Sequence, residues 1–432
     1  MIIVFLIESI IYMSLPLISI YSSVLFYAGK TLIFLLSLFF VIFLFKKNEI
    51  KLHKEFIVFF LLIFISLLMI PYSVLNGNNL GYIIADTMGI LVIILIMIAF
   101  YLYMNLILNY AKLIKSLLTI YFIIFIIYFC LVFFGFVIAK IPAIHIFVFS
   151  MLLILFFTEQ RKIFLFWALL SFIEGTYLGE SRGFVVEAIF VFFVYIFLLK
   201  KYRHIILITA LLVFLMPVFL KTALHSYVFL SLSQFIKDVK SDPSFFQRIL
   251  EVKLQFDYLS KNGVFFNYIF GFGPGAEYID YTGVTGKYKQ HHAHITPIFM
   301  YFKFGILGLM SWAYLWYIVF KGIIEIKIKK IYRRDFYLGK IYLLSYFGIL
   351  SYGLQTLIGQ EFLFNPLLGM FIGSYMASKK FLDQKLCPDW WHYIIKSGIE
   401  WKELKNYLIV GGNKMPQVLH RNAKSTNYIR RS

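Results

Sequence analysis

The stretch Tyr82–Tyr103, YIIADTMGILVIILIMIAFYLY, carries a single charged residue, Asp86, in an otherwise apolar run. As a helix rising about 1.5 Å per residue it reaches about 33 Å, enough to cross a hydrocarbon core of about 30 Å. Runs of the same kind recur outward from it, near 2–22, 31–45, 56–75, 116–138, 141–158, 163–179, 183–199, 205–220, 295–320, 340–357 and 362–378. The chain of 432 residues is 61% hydrophobic and 14% charged, whereas a soluble domain is about half apolar and a quarter charged. These values exclude a water-soluble globule and predict an all-α polytopic integral membrane protein of about twelve transmembrane helices.

The net charge of +20 could point to nucleic acid, so the positions of the basic residues decide its meaning. With the N-terminus inside, the loops predicted to face the cytoplasm hold Lys46, Lys47, Lys51 and Lys54, then Lys112 and Lys115, Arg161 and Lys162, Lys200, Lys201 and Arg203, and the run Lys321 to Arg334. The turns predicted to lie outside are nearly uncharged, with single lysines at Lys30 and Lys140. This is the positive-inside pattern of a multi-pass protein with both termini cytoplasmic, and it leaves no call for a nucleic-acid partner. Cys130 and Cys387 give no disulfide framework and no CxxC metal motif. The first twenty or so residues lack a basic n-region and a cleavage site, so they read as a first span rather than a removed signal.

Four regions follow: 1–220 with spans one to nine, a large external loop over 221–293, 294–378 with spans ten to twelve, and a basic cytoplasmic tail over 379–432 whose Trp390, Trp391 and Trp401 suit contact with headgroups. A loop as long as 221–293 is more often functional than passive. Within it, Asp242 to Leu259 has helical apolar spacing, opened by Asp242 as a cap and Pro243 in the first turn.

Three features with chemical potential fall on the external side. Gly179-Glu180-Ser181-Arg182-Gly183 opens span eight; the planar fork of Arg182 matches phosphate oxygens two at a time, or else snorkels to headgroups or pairs with Glu180 or Glu187. The loop run Asp242 to Glu251 contains Arg248, free to face water or to pair with Glu251, and is followed by Gly271-Phe-Gly-Pro-Gly275. Without a βαβ context and a Lys or acidic partner, the glycines read as a tight turn rather than a nucleotide-binding loop. The third feature is His291-His292-Ala293-His294 before span ten, where an imidazole at a membrane entrance can exchange protons near neutral pH or simply be solvated. No Cys and no Asp or Glu stands at ligand spacing, so no metal is expected. Asp86 and Glu174 are the tempting intramembrane acids, and Glu361 lies in the outer turn before span twelve.

As an ordered set these features resemble the O-antigen ligase and polymerase superfamily: Ser181-Arg182-Gly183 at the outer start of a helix, Asp242, Ser244 and Arg248 in a large periplasmic loop, the turn Gly271, Gly273 and Gly275, and His294 eleven residues before Gly305-x-x-Gly308. The resemblance covers roughly residues 165 to 375. Two positions depart from the family's pattern, Ile295 after the His and Val252 where an aromatic often follows the loop Arg.

The resemblance implies metal-independent, inverting glycosyl transfer at the periplasmic face of a bacterial inner membrane, with no cofactor. An undecaprenyl-diphosphate-linked oligosaccharide is the donor, Arg182 and Arg248 bind its diphosphate, and His294 is the catalytic base. His291, His292 and Glu361 are candidate supporting residues, membrane lipid is a partner, and a chain-length regulator is a candidate partner. Polymerisation of O-antigen or capsule repeat units is the reading favoured within the family. A ligase that moves the glycan to lipid A core and, from a different class, a lipid-linked oligosaccharide flippase or permease are the alternatives.

Overall fold

The structure is a computed structural model and describes residues 2–21, 23–45, 56–102, 109–133, 145–159, 161–177, 182–199, 243–280, 289–291, 295–333, 336–358 and 365–383. The apolar stretch near 205–220, much of the loop 221–293, and the tail beyond 383 lie outside the described residues. The described chain is mostly helical. In order it forms α1 (Ile2–Tyr21), α2 (Ser23–Phe45), α3 (Ile57–Leu68), α4 (Ile70–Leu75), α5 (Leu80–Leu102), α6 (Tyr110–Phe133), α7 (His145–Glu159), α8 (Lys162–Tyr177) and α9 (Arg182–Leu199). After these come α10 (Pro243–Asn262), α11 (Phe265–Phe270), a two-residue antiparallel pair β1 (Tyr278–Ile279) and β2 (Lys289–Gln290), then α12 (Thr296–Lys327), α13 (Phe336–Ile358) and α14 (Pro366–Asp383).

Helices therefore occupy every predicted apolar stretch that is described, and three of the segments, Ile57–Leu75, Leu80–Leu102 and Thr296–Lys327, are long and apolar enough to cross a membrane. The bundle buries large side chains such as Phe100, Phe147, Tyr346 and Phe371, while Phe64, Phe193 and Phe320 remain on its outer surface. Apolar side chains on both the inside and the outside are the construction of an all-α membrane protein, since water would penalise the outer face.

Two helices are broken, each for a legible reason. Pro71 lacks an N–H and crowds the preceding turn, and the helix divides at Met69 into α3 and α4. In α12 the residue Gly305 has φ +61° and ψ −152°, outside helical space, so the helix kinks there. The part beyond Gly305 spans about 33 Å, one membrane thickness at 1.5 Å per residue.

Close approach holds α14 against α5. A Cβ on Gly369 or Gly373 would stand 2.3 Å from the carbonyl oxygen of Ile93 or Met97 respectively, so these two small residues, four apart, let the backbones touch. Charged side chains gather at the far ends of these helices. Glu159 pairs with Lys115 at 2.7 Å and with Lys340, the Lys327 ammonium donates to the Phe197 carbonyl at 2.7 Å, and Lys380 lies over the Tyr101 ring. Glu325 accepts from the hydroxyls of Tyr342 and Tyr375, both at 2.7 Å, and pairs with Lys379 at 2.5 Å, which ties α12, α13 and α14 together. One end of the bundle is thus rich in lysine. Asp86, Lys303 and the 271–275 turn occupy the other.

Candidate functional site

The site is built on the two helix breaks. Interrupting α12 at Gly305 frees carbonyls of the preceding turn, and buried carbonyls need partners. The 271–275 segment supplies them: the Phe272 N–H donates to the Phe302 carbonyl at 3.0 Å and the Gly273 N–H to the Lys303 carbonyl at 2.8 Å. Contact is too close for any side chain. A Cβ on Gly271 would meet the Lys303 carbonyl at 2.2 Å and one on Gly305 the Ile269 carbonyl oxygen at 2.1 Å, and both residues have positive φ. The segment is a tight turn, as its glycines predict, with the Asn78 amide donating to the Phe272 and Pro274 carbonyls at 3.2 and 3.3 Å.

Beneath this turn lies a buried ionic cluster. Lys303 is 0% exposed, Asp86 5% and His291 6%. The Lys303 ammonium donates to Asp86 Oδ2 at 2.6 Å, and the same oxygen accepts the Gly275 N–H at 2.7 Å. His291 Nε2 stands 3.3 Å from Asp86 Oδ1 and 3.2 Å from the Lys303 ammonium, which is 3.4 Å from Nδ1. Tyr82 stacks on the imidazole with centroids 4.0 Å apart, and the ammonium also lies 4.2 Å from the Phe299 ring centre. A buried ion pair persists only with such extra bonds, because desolvation opposes it.

With both ring nitrogens turned to protein partners, His291 serves as an anchor for the segment entering α12. His292 and His294 lie outside the described residues, as does Glu361. His294 follows His291 by three positions, and α12 begins two residues later with Pro297 in its first turn. Arg182 is the first residue of α9. Arg248 lies in α10, half-buried, and its charge bears on the buried carboxylate of Glu187, five residues into α9. The charge of Arg248 is thus felt on the helix that Arg182 opens.

Lys303 was not singled out by sequence reasoning. It lies in an apolar run between His294 and Gly305 without being part of that pattern, and its partner Asp86 is 217 positions away. Comparison of the chain with protein-family models, with curated proteins and with solved structures finds no match.

Proposed function

We propose that the chain is a glycosyltransferase of the bacterial inner membrane that polymerises undecaprenyl-diphosphate-linked oligosaccharide repeat units, O-antigen or capsule, at the periplasmic face. Two things support this reading: the ordered set Ser181-Arg182-Gly183, Arg248 and His294 in the sequence, and the charge of Arg248 acting through space on Glu187 of α9, the helix that Arg182 opens. On this reading the lysine-rich end faces the cytoplasm, since basic residues are retained there. The site then lies one membrane thickness away, at headgroup level, where a diphosphate travels. Arg182 and Arg248 bind the diphosphate and stabilise the charge that builds on it as the anomeric carbon leaves. His294 takes the proton from the attacking sugar hydroxyl, a step worth about two to four powers of ten in rate. The polyprenyl chain rests against outer phenylalanines such as Phe193, and neither metal nor nucleotide is required.

One observation favours a second reading, an ion-coupled flippase or permease: three buried ionisable groups, Asp86, His291 and Lys303, lie beside two broken helices, features that transporters share. The deciding experiment uses cells lacking this gene, complemented with wild type or His294→Ala at equal membrane abundance, with surface glycan ladders as the readout. A polymerase restores the ladder, and the variant leaves one repeat on the core. A ligase defect strands long chains on the lipid carrier, a flippase defect leaves repeat units facing the cytoplasm, and a variant equal to wild type removes His294 from the mechanism.

A further inference from the structure

The short helix α11 is built inside out. Asn267, a polar residue, is buried, whereas Phe265 is 81% exposed and Val264 61%, and Phe266 and Tyr268 are exposed as well. The Asn267 side chain fixes this roll. Its oxygen accepts the Val264 N–H at 2.9 Å, and its amide donates to the Gly271 carbonyl at 3.1 Å and to the Tyr72 hydroxyl of α4 at 2.6 Å. One inward side chain thus closes both ends of α11 and ties it to α4, which leaves its apolar residues turned outward. In water a run of exposed apolar side chains is avoided unless something covers it.

The position of α11 says what covers it. The Phe266 ring lies 5.2 Å from the Tyr72 ring, a turn before Leu75, where the span-length segment Ile57–Leu75 ends. The Ile269 carbonyl abuts Gly305, where the spanning part of α12 begins. At that level the outward side chains of both spans are apolar too: Leu68 and Leu75 on one, Ile306 and Met310 on the other. The patch on α11 therefore continues a surface that acyl chains suit. On α10 the outward positions Ile249, Lys253, Phe256 and Ser260 are spaced i, i+4, i+7 and i+11 and mix apolar with basic and hydroxyl groups. Phe256 stands by Tyr301, a turn outside Gly305, with ring centres 6.4 Å apart. Such a stripe suits headgroups, where a lysine lays its stem on apolar surface and its ammonium against phosphate.

We propose that α10 and α11 form an interfacial anchor for phospholipid, with Val264, Phe265 and Tyr268 set among the acyl chains of the leaflet at this end of the bundle and Lys253 at the level of the phosphates. A stretch that reads from sequence as external loop is then held in the bilayer surface. The 271–275 turn, which follows α11 directly, is thereby fixed at headgroup depth. The anchor requires a bilayer and does not depend on the glycosyltransferase reading.

The test places a nitroxide spin label on the full-length protein, in a Cys130→Ser, Cys387→Ser background, in nanodiscs of phosphatidylethanolamine and phosphatidylglycerol. It compares relaxation by oxygen, which concentrates among acyl chains, with relaxation by a water-soluble nickel chelate. Labels at Phe64→Cys, mid-span and outward on α3, and at Lys289→Cys, exposed on β2, give the lipid and water references. The label at Phe265→Cys is expected to match the first, relaxed severalfold more by oxygen than by nickel. Val264→Cys gives the same readout should that variant fail to fold. Nickel dominant at both positions leaves the patch in water and overturns the anchor. Low access to both reagents means that protein covers the patch, a second copy or another part of the chain, and overturns it as well. A water pattern at Phe64 itself brings down the membrane reading, a result distinct from the other two.

Discussion

At the scale of single residues, the molecule's most consequential arrangement is the pair Asp86–Lys303. Its two charges are held at 2.6 Å in a region where Lys303 has no exposure at all. Removing one member leaves the other uncompensated, so Lys303→Met is expected to cost about 3–5 kcal/mol of stability. Adding Asp86→Asn to Lys303→Met should recover much of that loss, because Asn retains an oxygen for the Gly275 N–H. Thermal unfolding of the purified single and double variants measures this, and a double variant no more stable than Lys303→Met would refute the pairing as the cause. Asp86 was legible in the sequence as an acid inside an apolar run. Its partner was not, because nothing local tells which face of a helix Lys303 occupies, and tertiary contact between residues 217 positions apart has no periodic signature. The His291 anchor was hidden for the same reason: three histidines in four positions look alike until Asp86 and Tyr82 single one out.

At the scale of elements, the interlocked kink and turn decide how the site is held. The glycines at 271, 273 and 275 announced a turn, and Gly305-x-x-Gly308 stood out as a motif, yet neither pattern says that the two regions touch. Contact follows from the carbonyls that the kink releases and from the absence of side chains at Gly271 and Gly305. Gly305→Ala would force a side chain into a conformation that only glycine adopts freely and against the Ile269 carbonyl. The strain alone is about 1–3 kcal/mol. Residues 271–276 should then exchange their amide hydrogens faster, since the Phe272 and Gly273 N–H bonds to α12 are lost, while α13 and α14 keep their protection. Equal exchange in the variant and wild type would mean that the turn is held by something other than the kink. Pro243 was legible in the sequence as the first turn of α10, whereas the stretch 56–75 read as one span and Pro71 divides it into α3 and α4.

At the scale of the whole molecule, the apolar periodicity made the helical bundle legible, and the charge pattern made its two ends distinguishable. Contacts then gather at one end lysines that the sequence scatters: Lys115 and Lys340 on Glu159, Lys379 on Glu325, Lys327 against the end of α9 and Lys380 over Tyr101 at the end of α5. An orientation that exposed this end to the periplasm would require exporting all of these charges, together with the basic loops between them, against the retention that sets membrane topology. On the proposed orientation, with the lysine-rich end in the cytoplasm, many residues share the work and changing one should not reverse it. A reporter active only in the periplasm, alkaline phosphatase, should be active when fused after Gly263, beyond α10, and inactive when fused after Asp383. A green fluorescent protein, which matures in the cytoplasm, should show the opposite. Removing one lysine, as in Lys340→Ala, should leave both readouts unchanged, because the remaining charges still outweigh the opposite end. Activity of the phosphatase after Asp383 would invert the bundle, place the Asp86–Lys303 end in the cytoplasm, and remove the premise on which a periplasmic glycosyl transfer at that end stands.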